Sequence, residues 1–503
     1  MRAQLIILIA YVLVLLAISW WSTILLRRGT TNKTLNYLLA GRNLPTILIM
    51  VMLVGLAVGG ASTVGVAEKA YTQGFSAGWY NAAWGLGGIF VGLFIAKHFR
   101  RMTVKTVPQI MGHMFGPGTR LISVICQLLV MITITALQYV AGGAILAALL
   151  PEVFDLRGGM LASCAIFIII TLFGGYWASG LTNLFNVIII YVGIVVALIF
   201  SVRGFGGMDS LLAQLPKGED WFHPMSGMGY PAIIGYVAVM VTMAVTTQAV
   251  AQICFAAKDG NKARTGFILG GIIILPAGFL CAVFGIMAAA KFPGLVGPDA
   301  ALALPKLVQG LSPIVGGIFL AALWAADIST AVGLLMGCST LVVEDVVKKL
   351  YPRQLSGSRE MLVSRLVVLL VSLLSFALAL TVTGILQTIT TALALTTSFT
   401  LIVIAGIYFP RILRRAAGFW LVLASLVLWL LWTLFPGLRV LPGLIYAEWL
   451  VCGVMVLLFW AFATEPAGDI FAKGGDGAGP AEAAPGAALE PVPAGPAHAG
   501  PEG

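Results

Sequence analysis

The chain has 503 residues, is 60% hydrophobic and only 10% charged, and has a mean hydropathy of +1.03. Soluble domains carry about 25% charged residues, so a deficit on this scale argues against a water-soluble globular protein and for helices that face lipid or one another. The formal charge of +10 comes in short clusters between apolar runs, not on one soluble face, and this excludes a nucleic-acid surface.

A lipid-spanning helix takes about 20 mostly apolar residues. The sequence predicts thirteen such runs, at about 5–26, 45–70, 79–97, 120–150, 159–177, 180–201, 231–256, 266–290, 312–340, 363–381, 384–409, 417–435 and 442–463. They are continuous, unlike the roughly ten-residue alternating segments of a membrane β-barrel. The expected fold class is therefore all-α and polytopic.

The first run follows only Arg2 and has no small-residue cleavage site after it, so it reads as a retained helix, not a signal peptide. The second contains Gly55-Leu56-Ala57-Val58-Gly59-Gly60-Ala61-Ser62-Thr63. Adjacent glycines followed by Ser-Thr weaken a helix in mid-membrane, and a break exposes carbonyls that can hold a cation. Close packing through small residues is the other reading of the same pattern. The fourth run is long and reads as one tilted helix. After the sixth comes the longest loop, about 202–230, with Trp221 and Tyr230 flanking the next run as interfacial anchors.

The ninth run holds Asp327, then Ser329-Thr330. An ionisable group inside a membrane run is a functional suspect, the alternative being a structural carboxyl satisfied by its neighbours. The paired hydroxyls offer the oxygen ligands that a hard cation such as sodium takes. A Ser or Thr bonded back to its own helix is the plainer reading. From about Glu465 the chain is rich in Gly, Pro and Ala and cannot build a core. The expected organisation is a transmembrane body over 1–464 and a disordered tail over 465–503.

Six cysteines all lie in apolar runs without a CxxC pair, and His98, His113, His223 and His498 are scattered. No metal cluster of the His/Cys kind, catalytic residue or organic cofactor site is expected. No hydrolase, kinase or dinucleotide signature is present, so the chain does not read as an enzyme. With the N-terminus outside, 21 of the 29 Lys and Arg fall on the inside, seven outside, and Lys69 near the outer end of a run. The positive-inside rule then predicts an outside N-terminus and an inside C-terminus.

Several stretches, in order over about residues 1–410, resemble the sodium:solute symporter family, which includes bacterial proline and sodium–sugar symporters. They are Ala40-Gly41-Arg42-Asn43-Leu44; Gly65 with Ala70-Tyr71 and Gly74; Gly174-Gly175 with Leu181-Thr182-Asn183; Gln248, Gln252 and Ala256-Ala257-Lys258-Asp259 with Ala263-Arg264; and Ser329-Thr330 with Cys338-Ser339-Thr340 and Glu344-Asp345.

The resemblance implies a LeuT-like inverted-repeat core of ten helices, with repeats over about 45–201 and 231–409. It implies one sodium site between the first and eighth core helices. The carbonyls of Gly55, Val58 and Ala326 and the hydroxyls of Ser329 and Thr330 would form it. The solute would sit at Ala57, Gly59 and Gly60, near Gln138, Tyr139, Gln248 and Gln252. Asn183 stands where many members have an Asp, and Asn186 where they have a Gln, which makes a second cation doubtful. Asp327 and Asn183 are the candidate coupling residues.

The expectation is a sodium-coupled secondary symporter in the cell membrane, importing a small polar organic solute with Na+ and needing the bilayer but no obligate protein partner. A proton-coupled transporter using Asp327 and a transporter-derived membrane sensor are the alternatives. A channel is least favoured, because no repeated filter sequence is present.

Overall fold

The computed structural model describes residues 2–28, 33–102, 104–216, 220–295, 297–350, 357–382 and 384–471. Apolar sequence with few charges leaves helix as the economical backbone, since a lipid-facing segment must satisfy its own amides. The helices that matter below are α1 (Arg2–Arg28), α2 (Thr46–Ala57), α3 (Val66–Gln73), α4 (Trp79–Phe90), α5 (Pro117–Leu149), α6 (Leu156–Gly204), α7 (Gly229–Thr246) and α8 (Gln248–Ala256). They continue with α9 (Gly260–Ile274), α10 (Ala277–Lys291), α11 (Pro313–Leu341), α12 (Gly357–Ala379), α13 (Ile385–Ala394), α14 (Thr397–Tyr408), α15 (Arg415–Leu434) and α16 (Leu444–Phe462).

Nine helical stretches among the described residues are long and apolar enough to cross a membrane, or ten if α13 and α14, bent by 44°, count as one crossing. The expected runs near 5–26, 45–70 and 159–177 overlap the shorter apolar stretches Ile6–Ser22, Thr46–Ala57 and Leu156–Leu172. The fourth run is one helix of 33 residues, Pro117–Leu149, as expected despite its length.

The fifth and sixth runs fall within one helical stretch of 49 residues, α6. A straight rod of that length would measure about 74 Å, against a bilayer core of about 30 Å. Its contacts exclude a rod. Gly159 packs on Gly143 near the end of α5, and Gly193 packs on Phe319 near the start of α11. Those two helix ends lie together, since Gln309 bonds to Ala148. The stretches Leu156–Leu172 and Tyr176–Gly204 therefore run antiparallel.

The core pairing exchanges partners between two sets of helices. α2 packs on α9, α7 packs on α4, and the long helices α5 and α11 cross each other. Each set opens with a broken helix, α2–α3 in the first and α7–α8 in the second. Helices α1, α15 and α16 lie outside these two sets.

Most of the basic clusters gather at one end. There Arg100 bonds to the carbonyls of Ala257 and Lys258, Lys105 pairs with Glu344 at 3.1 Å, and Arg120 with Asp345 at 2.7 Å. The chain beyond α16 folds back on this end: Ala467 donates to the Leu413 carbonyl at 3.2 Å and Gly468 to that of Met114 at 2.8 Å, and Ile470 is buried. So the first residues of the expected tail, 465–471, are packed, and 472–503 lie outside the described residues.

Candidate functional site

Helix α2 ends where the glycines begin. Its last α-turn bond runs from the Val58 amide to the Val54 carbonyl at 2.8 Å, and Val58 leaves helical geometry at φ −98°, ψ 72°. The chain resumes as a wide π turn over Ala61–Gly65 and continues into α3. The carbonyls of the last turn lose their amide partners, and side chains take them. Ser62 Oγ bonds to the Ala57 carbonyl, while the Gly59 carbonyl, beyond that turn, accepts the Ser62 and Thr63 amides at 3.1 Å as well as Thr63 Oγ1 at 3.0 Å.

The Gly55 carbonyl is met from α11. Ser329 Oγ lies 2.9 Å and Thr330 Oγ1 2.8 Å from it, and the same hydroxyls lie 2.8 and 3.1 Å from the Ala326 carbonyl. Thr330 Oγ1 is also 3.4 Å from the Leu56 carbonyl. Four of the five expected ligands thus converge as one cluster of neutral oxygens joining a broken helix to an intact one. Val58 is buried at the break, but no bond draws its carbonyl into the cluster. The donor set suits a hard cation: only oxygens, with two hydroxyl protons that can turn away and two carbonyls already aimed inward.

The two glycines after Val58 are there for close approach. A Cβ on Gly59 would run into Thr330 Oγ1 and lie 2.7 Å from Gln138 Oε1; one on Gly60 would run into Ala141 and lie 2.6 Å from Asp327 Oδ1. Gln138 Oε1 accepts the freed Gly60 amide at 2.8 Å. Asp327 is fully buried beside Gly60, and neither carboxyl oxygen has a hydrogen-bond partner among the described residues. Asn183 packs against Gly55 with its side-chain oxygen likewise unpartnered, and Asn186 takes a bond from Tyr11 of α1.

Against this cluster lies a cavity of about 30 Å³, lined by Ala57, Gly59 and Ser62 of the break, Tyr80 and Trp84 of α4, Gln138 of α5, Met243, Thr247 and Val250 at the α7–α8 break, and Thr330. Its wall holds no charged side chain. The volume has room for a water or two, so an organic solute needs the walls to part. Thr330 belongs to both the oxygen cluster and the cavity, and Gly59 of the cavity wall packs against it.

Of the expected solute residues, Ala57, Gly59 and Gln138 line this cavity, Gly60 is bonded to Gln138, and Tyr139, Gln248 and Gln252 stand elsewhere. Tyr139 packs on Phe167. Gln248 Oε1 accepts the Val107 amide at 2.9 Å, and Gln252 Nε2 donates to the Leu38 carbonyl at 2.8 Å and to Thr340 at 3.0 Å. Both tie α8 to the basic end beneath the cavity. Tyr80 and Trp84 were not foreseen; four residues apart, they share one helix face, a spacing visible in Trp79-Tyr80-Asn81-Ala82-Ala83-Trp84.

The sequence profile of the sodium:solute symporter family matches residues 37–438. Among curated proteins, sodium/glucose cotransporter 4 of Danio rerio is 27% identical over 74% of this chain and 62% of its own length. The high-affinity proline transporter PutP of Bacillus subtilis is 24% identical over 70% of this chain and 76% of its own. The chain spans about three-fifths of the length of the glucose cotransporters it matches, 62% and 59% for the zebrafish and human proteins. Among solved structures, a substrate-bound, outward-open Na+-coupled sialic acid symporter superposes with a TM-score of 0.74 at 18% identity, over 92% of this chain and 98% of that one. A nucleobase-cation-symport-1 family transporter in a closed conformation gives 0.58 at 17% identity, over 84% and 92%. These likenesses show the fold, the LeuT-like arrangement expected above.

Proposed function

The chain belongs to the sodium:solute symporter family, whose members are multi-pass membrane transporters and not enzymes, and from that premise we propose that it carries a small uncharged polar solute across the membrane together with Na+. One observation carries the reading: the oxygen cluster of Gly55, Ala326, Ser329 and Thr330 abuts the solute cavity and shares Thr330 with it. A cation there holds the broken helix against α11 and thereby shapes the cavity wall. When the cation leaves, the two helices are free to part, which is what alternating access requires. The basic end is the cytoplasmic side, and the bonds of Gln248, Gln252, Lys105 and Arg120 close the exit towards it.

One Na+ entering down about 100 mV releases roughly 2.3 kcal/mol, and a tenfold gradient adds about 1.4 kcal/mol. At one-to-one coupling the sum sustains roughly 500-fold accumulation of a neutral solute. The apolar and aromatic walls, with Gln138, Thr247 and Ser62 as the polar points and no charged side chain, fit a compact solute without net charge.

The test is a thermal-stability screen of the purified protein against D-glucose, myo-inositol and L-proline, with Na+ or K+, followed by uptake into proteoliposomes. Na+ alone should stabilise the protein, and uptake of a stabilising solute should need Na+. Equal stability in Na+ and K+, with Na+-independent uptake, contradicts the reading. The unpartnered carboxyl of Asp327 favours a second reading, in which a proton accompanies the solute. Uptake driven by a pH gradient without Na+, and lost in Asp327→Asn, would establish it.

A further inference from the structure

The second broken helix is held together by a residue that no part of the site described so far uses. α7 and α8 are separated by the single extended residue Thr247, at φ −63°, ψ 128°. A continuous helix would bond the Thr246 carbonyl to the Val250 amide and the Gln248 amide to the Ala244 carbonyl. Here the Val250 amide goes to Thr247 instead. Gln127 of α5 takes one group freed from each of these two bonds: its Nε2 donates to the Thr246 carbonyl at 2.9 Å and its Oε1 accepts the Gln248 amide at 3.0 Å. Gln127 is fully buried.

Gln138, which accepts the Gly60 amide at the first break, lies eleven residues further along the same helix. Eleven residues are about three turns, so both amides project from one face, about 16 Å apart along the axis. One uninterrupted helix therefore spaces the two breaks that bound the solute cavity.

We infer that Gln127 is a positioning residue for transport: it fixes the α7–α8 break, and so the Met243, Thr247 and Val250 wall of the cavity, relative to the α2–α3 break. The inference rests on the sodium-symport reading. At the first break the carbonyls are held by hydroxyls that can give way to a cation. At the second they are held by an amide on a helix that stays whole. The second break then keeps its shape while the first changes with Na+ binding.

The test uses the full chain in detergent with Na+ as the probe, in wild type, Gln127→Leu and Gln127→Glu. Amide hydrogen exchange is followed at 246–251 and 326–330, together with thiol labelling of a cysteine introduced at Val250. In wild type, Na+ should slow exchange at 326–330 and change the labelling rate. Gln127→Leu should raise exchange at 246–251 at least about tenfold and abolish the Na+ dependence of labelling. The Na+ concentration that half-protects 326–330 should move less than about threefold. Gln127→Glu keeps the acceptor for Gln248, and its protonated form also donates to Thr246, so it should recover most of the wild-type labelling behaviour at acidic pH.

A merely structural role would lower thermal stability without removing the Na+ dependence of labelling. The inference is overturned if Gln127→Leu exchanges at 246–251 like wild type, or keeps Na+-dependent labelling. If Gln127→Leu elutes as aggregate, Gln127→Glu at alkaline pH is read in its place on the same criteria. Absence of any Na+ effect in wild type would instead contradict the symport reading, and faster exchange at 246–251 in Gln127→Leu would still separate the two.

Discussion

The two broken helices solve one problem in different ways. At the α2–α3 break the backbone opens at Val58-Gly59-Gly60, and hydroxyls from α11 collect the freed Gly55 carbonyl. At the α7–α8 break the backbone opens at Thr247, between Thr246 and Gln248, with no glycine, and one glutamine takes the Thr246 carbonyl and the Gln248 amide on either side of it. Hydroxyls can exchange their partners for a cation; a two-point amide bridge cannot do so without losing both bonds. The pair thus divides the work: the first break responds to the ion, and the second keeps the cavity in register.

The largest expected effect separates the breaks by steric demand. Gly60→Leu puts a side chain where Ala141 and Asp327 already stand and should cut sodium-dependent uptake more than about 100-fold, with protein still in the membrane. Thr247→Val adds no bulk at a position that is already β-branched and removes one hydroxyl of the cavity wall, so it should lower uptake by no more than about tenfold. Similar losses at both sites would break the comparison. Next, Asn183 beside Gly55 supplies no charge, so one Na+ should accompany each solute, with a Hill coefficient near one in sodium-titrated uptake. Asn183→Asp should raise it. A wild-type value near two with matching flux stoichiometry would place a second ion at this break. The smallest effect is at Asp327. No oxygen of the cluster bonds to it, so Asp327→Asn should move the half-saturating Na+ concentration less than about threefold. A shift of tenfold would put its carboxylate in the ion site.

How much of this was readable follows from the same contrast. Gly59-Gly60 marks the first break because glycine weakens a helix and admits close neighbours, and Ser329-Thr330 marks its partner because two hydroxyls adjoin in an apolar run. Nothing local marks the second break. Thr246-Thr247-Gln248 is ordinary helix sequence, and the cause sits 120 residues earlier, in Gln127. Two buried glutamines eleven apart on one long apolar run were the available signal. The family resemblance puts Gln248 and Gln252 among the solute ligands, as polar groups of a run that faces the first break. They are instead consumed by Val107, Leu38 and Thr340, partners that only the fold brings near. Glu448, buried and bonded to Ser425 at 2.5 Å, lies in α16 outside the core, and its partner stands 23 residues away on α15, out of reach of any local pattern. The reversal inside α6 was readable from length alone, since no single crossing needs that many apolar residues.

The central claim is that Ser329 and Thr330 hold a cation against the first break. Each removed hydroxyl deprives the ion of one oxygen and changes no net charge, so the cost should be a few kcal/mol at most, by analogy with a hydrogen bond to a charged group. The direct measurement is sodium-titrated uptake into proteoliposomes by Ser329→Ala with Thr330→Val, alongside a size-exclusion profile to check folding. The account predicts a half-saturating Na+ concentration raised at least about tenfold, with solute affinity at saturating Na+ moving much less. A folded double variant that keeps the wild-type sodium response would contradict it.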